Sequence, residues 1–409
     1  MSVAATAETP PIAAATPRIL SVDALRGFDM FWIIGGEHLA RAFEKFGGGS
    51  LSKTLSTQLS HTEWQGCHFF DVIFPLFLFL VGVSIVLSID RMKVTLSRTA
   101  LIRRILTRGA LMFALGIFYY GGLTRSWPDV ALSGVLHRIA LCYVCAALLY
   151  AFLPRKALAA VTLVLLIGYC ALLTFVPFPD VNLAHVTLGK KASQTEMRLP
   201  AALFSESTPQ IRGAYDEGRN LVHYIDARWL PGRKRNLNYT NEGLLSTLPA
   251  VVSTLLGIWA GCMLTSAAAP RCKILHLFGA GVLYVALGLL CSVQCPVIKR
   301  IWTPSFTLLA SGYSMLALGV FYWLVDVRGW QRWCTPFLWI GANALTVYLV
   351  VNIVDFEALA ARFVGGDVTM LLNEHLAAGS GILLQAIVEL LLPTGLTYFL
   401  YKRKVFIRL

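Results

Sequence analysis

The sequence predicts an all-α polytopic membrane protein with about ten transmembrane helices. Three observations carry that prediction. Apolar runs long enough to cross a bilayer recur along the whole chain. Of its 409 residues 56% are hydrophobic and only 14% charged, and the mean hydropathy of +0.66 lies far from that of a soluble domain. The basic residues gather in short intervals between the apolar runs, as cytosolic loops do.

Taken in order, residues 1–20 (MSVAATAETPPIAAATPRIL) are rich in Ala, Thr and Pro and lack the basic start and compact apolar core of a signal peptide. They read as a disordered cytosolic tail ahead of one membrane domain, 21–409. The expected spans centre on 24–42, 67–89, 103–122, 132–152, 156–177, 243–265, 273–292, 305–326, 336–355 and 380–401. Basic residues at 91–108, 155–156, 271–273, 328–332 and in the tail YKRKVFIRL then define the cytosolic side. Both termini fall inside, and 178–242 becomes the one long extracytoplasmic loop. Lys299 and Arg300 fall outside in a short loop, against the charge rule. Arg233, Lys234 and Arg235 do so in the long loop, where the rule has little force.

The net charge of +13 is explained by this distribution, and no soluble basic face with interleaved aromatics suggests nucleic acid. The nine cysteines lie mostly within spans. Cys142 and Cys145 form an isolated C-x-x-C without a second ligand pair, so they read as small apolar residues and no metal is expected. No GxxxxGK[ST] loop argues for ATP.

Ionisable groups inside spans are costly and usually face a protein cavity. If the second span is continued backwards as a helix, His61, Trp64, His68, Asp71 and Pro75 fall on one stripe. That stripe would form the wall of a polar cavity; the competing reading is interfacial anchoring of Trp64 and His61. In the first span Asp23 and Arg26, one turn apart, suit a structural pair, and Asp29 is open to either role. Glu37 lies roughly 20 Å of helix rise beyond Ala24, near the level of His61. A carboxylate there would orient an imidazole acting as general base. His137 and Arg138 open the fourth span, and Asn343 lies mid-span, where an amide usually joins helices. His185, His223 and His375 are expected to be solvated in outer loops.

The segments SVDALRGFDMFW, HTEWQGCHFFDVIFPLFLFLVGVSI, GVLHRIALCY, NEGLLSTLPAVVSTLLGIWAG, KRIWTPSFTLLASGY and PFLWIGANALTVYLV resemble, in order and spacing, the heparan-α-glucosaminide N-acetyltransferase family. The likeness runs from about residue 18 to 355 and more weakly to the end. Its strongest part is His-x-x-Trp-x-Gly-x4-Asp-x2-Phe-Pro leading into a Gly-x-Ser span. The chain resembles a bacterial, inner-membrane member without the additional N-terminal luminal domain and span of the lysosomal enzyme.

The resemblance implies transfer of acetyl from cytosolic acetyl-CoA to the amine of a terminal glucosamine or similar amino sugar on the other side of the bilayer. It implies a catalytic role for His61 and points to a homodimer. The family's Asp-Pro-Glu-Gly appears here as Thr240-Asn241-Glu242-Gly243. The family's Asn near the outer end of the first span is replaced by Glu37. On this reading His61, Glu37 and Asp71 are catalytic. Arg103, Arg104 and Arg108 are candidates for the CoA phosphates, because guanidinium pairs bidentately with phosphate. Trp64, His68, Arg138, Glu242 and Asn343 are candidates for substrate contacts, with Trp64, Asn343 or a backbone N–H as oxyanion donor. The alternative is a proton-coupled secondary transporter or glycan permease that uses Glu37, His61 and Asp71 as a relay.

Overall fold

The computed structural model describes residues 19–46, 49–124, 126–184, 208–234, 236 and 238–406. Residues 1–18 of the expected N-terminal tail, His185 and Arg235 lie outside the described residues; Leu20, expected in the tail, already begins the first helix. All ten expected spans fall on helices. α1 is Leu20–Lys45, α2 Ser50–Leu59, α3 Phe69–Thr95, α4 Arg98–Tyr119, α5 Val135–Phe152 and α6 Arg155–Phe175. Then come α7 Leu221–Trp229, α8 Thr247–Thr265, α9 Pro270–Cys291 and α10 Pro304–Phe321, which continues as a π-helix through Val327. The chain ends with α11 Thr335–Ala342, α12 Ala344–Ile353, α13 Phe356–Val364, α14 Asp367–His375 and α15 Ser380–Lys402.

Among the described residues seven helices are long and apolar enough to cross a membrane, or eight if the pair 332–342 and 344–353, bent by 68°, is one span. The two expected spans outside that group are α1 and α4. Asp23, Arg26, Asp29, Glu37 and Arg41 interrupt the first, and Arg98, Arg103, Arg104 and Arg108 the second.

α3 and α8 form the centre. A Cβ on Gly82 would lie 2.0 Å from the Thr254 carbonyl oxygen, and one on Gly257 would lie 1.9 Å from that of Phe79. Only glycine lets the two backbones meet so closely, the usual means of helix association where lipid supplies no hydrophobic drive. Around this pair, α1, α5 and α10 pack Leu25, Leu136, Phe306 and Leu318 into two adjoining apolar cores.

Because successive long helices run up and down, the described residues of 46–68, 120–134, 176–184, 208–246 and 292–303 gather at one end of the bundle. They are tied together there. Gly66 N–H donates to the Val297 carbonyl at 2.8 Å, Arg233 N–H to that of Val130 at 3.2 Å, and the Tyr169 hydroxyl to that of Ile301 at 2.6 Å. Two short antiparallel ladders brace the long loop: β1 (Phe178–Pro179) with β2 (Gln210–Ile211), and β3 (Tyr215–Asp216) with β4 (Arg219–Asn220).

One expectation is corrected here. His61, Trp64 and His68 do not continue α3 as a helical stripe. The helix begins at Phe69, with His68 as its extended N-cap, and Gly66 adopts φ +115°. Asp71 Oδ2 accepts the His68 backbone N–H at 3.0 Å. That bond satisfies an amide at the helix start and stops the helix where periodicity alone would have extended it.

Candidate active site

The turn at 60–68 folds back over the first turn of α3 and so carries His61 to Asp71. Nδ1 of His61 lies 2.9 Å from Asp71 Oδ1. An ionised carboxylate only accepts, so Nδ1 carries the hydrogen, and in the neutral imidazole Nε2 is left with the lone pair. Asp71 is 1% exposed. Its other oxygen accepts from Thr62 N–H at 3.2 Å, Thr62 Oγ1 at 3.1 Å and His68 N–H at 3.0 Å. Nδ1 is thus enclosed, whereas among the described residues the charged group recorded on the Nε2 side is Glu37, with Oε1 at 4.0 Å. The imidazole is 45% exposed and lies against Phe70, with ring centroids 4.8 Å apart. An oriented imidazole with an open Nε2 can take or deliver a proton.

Lys299, from the loop between α9 and α10, completes the group. Its Nζ lies 3.3 Å from Asp71 Oδ1 and 3.0 Å from His61 Nδ1. Burial pushes this ammonium down, while the carboxylates of Asp71 and Glu242 push it up. Sequence reasoning missed Lys299 as a site residue. The signal was present as a basic residue on the wrong side of the charge rule.

The remaining expected residues have distinct placements. His68 turns Nδ1 to the Ser60 carbonyl at 3.0 Å and so fixes the turn. The Trp64 indole N–H donates to the Tyr215 carbonyl at 2.8 Å, which engages it in clamping the His61 turn to the long loop. The Arg300 guanidinium lies 5.9 Å over the Trp64 ring and pairs with Glu217, which also accepts from the Tyr239 hydroxyl at 3.0 Å. His223, expected in solvent, is fully buried instead. It stacks on Tyr239 at 3.8 Å, its Nδ1 accepts from Gly218 N–H at 3.0 Å, and burial pushes its pKa down to about 3.

Arg138 is buried and spans two layers. Its guanidinium lies 4.9 Å over the Trp302 ring and donates to the Asn241 carbonyl at 3.0 Å and to Ser246 Oγ. It therefore holds the Thr240-Asn241-Glu242-Gly243 segment. Glu242, half-buried, is within electrostatic range of Lys299, Arg138 and Tyr120. Below it Asp226 Oδ1 accepts from Leu244 N–H at 2.9 Å, and burial pushes the carboxyl up to about 7.

Arg103 and Arg104 are exposed on α4, and Arg108 lies 5.0 Å over the Tyr143 ring. Asn343, 1% exposed, sits at the break between α11 and α12. Among the described residues neither its amide oxygen nor its nitrogen has a hydrogen-bond partner, and the same holds for both oxygens of Asp29. For metals, the ligand atoms of His38, Glu357 and Glu389 lie within 4.8 Å of one another. His38 Nδ1 already bonds Glu389 Oε2 at 2.8 Å, and Arg41 stands 3.2 Å from the same nitrogen. The group reads as a brace between α1, α13 and α15.

The sequence that builds this site is similar to known proteins. Residues 18–196 match the family model described as heparan-alpha-glucosaminide N-acetyltransferase, catalytic. The human heparan-alpha-glucosaminide N-acetyltransferase is 26% identical over 437 aligned residues, covering 97% of this chain and 60% of the human protein. The mouse enzyme of the same name is 25% identical over 428, covering 95% and 60%. This chain thus spans about 60% of the length of the curated relatives it matches. Over residues 18–196 it carries the catalytic-region pattern of the heparan-alpha-glucosaminide N-acetyltransferase family, and along nearly its whole length it is similar to two members of that family.

Proposed function

We propose that this chain is a multi-pass membrane acyltransferase that moves acetyl from acetyl-CoA to the amine of a glucosamine or similar amino sugar on the opposite face of the bilayer. The observation that carries this reading is His61, whose Nδ1 is locked by Asp71 while Nε2 stays open. Nε2 takes a proton from the acceptor ammonium. The freed amine attacks the thioester carbonyl carbon, the C–S bond breaks, the imidazolium returns that proton to the CoA thiolate, and the neutral imidazole then takes the second proton from the acylated nitrogen and passes it to solvent. Glu37, 4.0 Å from Nε2, draws the cationic acceptor to the right nitrogen. An acetyl-histidine intermediate formed at Nε2 is the covalent variant of the same chemistry.

On this reading the turn 60–68 and the long loop 178–242 face the extracytoplasmic side, and Arg103, Arg104 and Arg108 meet the CoA phosphates on the other. The Trp64 indole is engaged by Tyr215, so oxyanion stabilisation falls to another donor. The decisive experiment incubates purified protein with acetyl-CoA and glucosamine and follows free CoA and N-acetylglucosamine. Both are expected from the wild type and lost in His61→Ala at unchanged circular dichroism. A fully active His61→Ala would remove His61 from the mechanism.

One observation favours a second reading. The 68° break at Asn343, with orphaned polar groups there and at Asp29, resembles the interrupted helices of secondary transporters. Amino-sugar uptake into proteoliposomes without acetyl-CoA would establish that reading in place of the first.

A further inference from the structure

A carboxylate as buried as Asp71 needs a countercharge, because its desolvation is not offset by neutral donors alone. Two groups stand at its Oδ1: the His61 imidazole at 2.9 Å and the Lys299 ammonium at 3.3 Å. The Lys299–Nδ1 distance of 3.0 Å closes a triangle. A protonated Nδ1 cannot also accept from the ammonium, so that edge is a contact between the two groups that share Asp71. Other charged or titratable groups around the imidazole and its partners are Glu37 from α1, and Glu242 and Cys67 beside Lys299.

The loop holds the lysine in place through its backbone. Trp302, in the left-handed region at φ +53°, returns its N–H to the Lys299 carbonyl at 3.0 Å. Thr303 Oγ1 accepts from Ile298 N–H at 3.0 Å, and Gly66 N–H bonds Val297 of the same loop. The turn that carries His61 and the loop that carries Lys299 are therefore one unit.

We infer that Lys299 is a positioning residue: as the counter-ion of Asp71, it lets His61 join the network through a hydrogen bond alone, neutral, with its Nε2 lone pair free. The kinetic consequence rests on the acyltransferase reading, whereas the placement does not.

The test reads His61 with no acyl donor or acceptor present. Diethyl pyrocarbonate modifies the unprotonated imidazole, and the mass of the peptide containing residue 61 gives its rate in the full-length protein at neutral pH. In Lys299→Met the imidazole becomes the only cationic partner of Asp71, and labelling is expected to slow about fivefold or more. Lys299→Arg is expected to stay within about twofold of wild type, since it keeps the charge. Asp71→Asn/Lys299→Met, lacking both charges, is expected to regain much of the wild-type rate.

Wild-type labelling in Lys299→Met would overturn the inference. So would a double variant as slow as the single one, which would make Lys299 only a loop anchor. In turnover at neutral pH, Lys299→Met should lower kcat in step with the labelling, about fivefold or more, with the KM for acetyl-CoA changed by no more than about threefold. If the wild type transfers no acetyl while labelling follows this pattern, the acyltransferase reading falls and the placement of Lys299 stands.

Discussion

Asp71 and Asp29 are both buried carboxylates, 1% and 0% exposed, yet their surroundings are opposites. Asp71 sits at the loop-rich end of the bundle, where an imidazole, a hydroxyl, two backbone amides and an ammonium converge on it. Asp29 lies in α1 among apolar helices, and among the described residues no donor reaches either oxygen. Depth within the protein is therefore a poor guide to role. A saturated carboxylate is a fixed anion that can orient a base. An orphaned one is a cost to the fold, and nothing it contacts here explains it.

The largest expected effect tests the saturated side. His61→Ala should lower kcat for acetyl transfer by about 10²–10⁴-fold, the usual contribution of a general base. Asp71→Asn, which misorients the imidazole, should follow within that range; coupled-enzyme detection of free CoA measures both. Stability gives the next contrast. Asp71→Ala leaves Lys299 without its buried partner and should cost about 3–5 kcal/mol. Asp29→Asn, which replaces an orphaned carboxyl with an amide of the same shape, should leave stability in detergent, read from the thermal midpoint, within about 1 kcal/mol of wild type. Equal losses in the two variants would break the comparison.

Asp226 sharpens the comparison from between the two extremes: Leu244 N–H donates to Oδ1, and Oδ2 has no partner among the described residues. Its carboxyl is pushed up to about 7, first by burial, against the pull of Leu244 N–H, Arg138 and Lys234. The fold therefore favours its protonated form. The sign follows: stability from this group is full below the ordinary aspartate range and declines as pH rises from about 4 to about 7, by an amount on the order of a few kcal/mol. Asp226→Asn should flatten the slope of the thermal midpoint across that window; an unchanged slope would exclude Asp226 as its source.

The smallest effect concerns the clamp. Trp64→Phe loses the bond to the Tyr215 carbonyl and should cost about 1 kcal/mol. It should leave kcat near wild type, whereas a loss of 10²-fold or more would mean that the indole reaches the oxyanion after all.

The helices were legible because apolar runs of bilayer length leave a local trace; every expected span falls on helical residues, although 336–355 is broken into α11 and α12 by a 68° bend that hydropathy did not show. His61 and Asp71 were also legible as partners, but for a different geometry. Periodicity placed them on one helical face, whereas a turn at Gly66 and the N-cap at His68 fold them together. His223 was misplaced because polarity suggested solvent, while the stack on Tyr239 buries it. Lys299 showed only as a charge on the unexpected side. Its meaning lies with residues 228 and 238 positions away, a separation that no local pattern spans.

By itself, then, the sequence determined a helical membrane protein, the segments that carry a family resemblance, and the histidine most worth testing, since hydropathy and short motifs are local properties. Only the tertiary structure decided which nitrogen of His61 is free, which cation accompanies Asp71, and which buried carboxylates have partners. Those depend on atoms within about 3 Å of one another, and only folding brings distant segments that close.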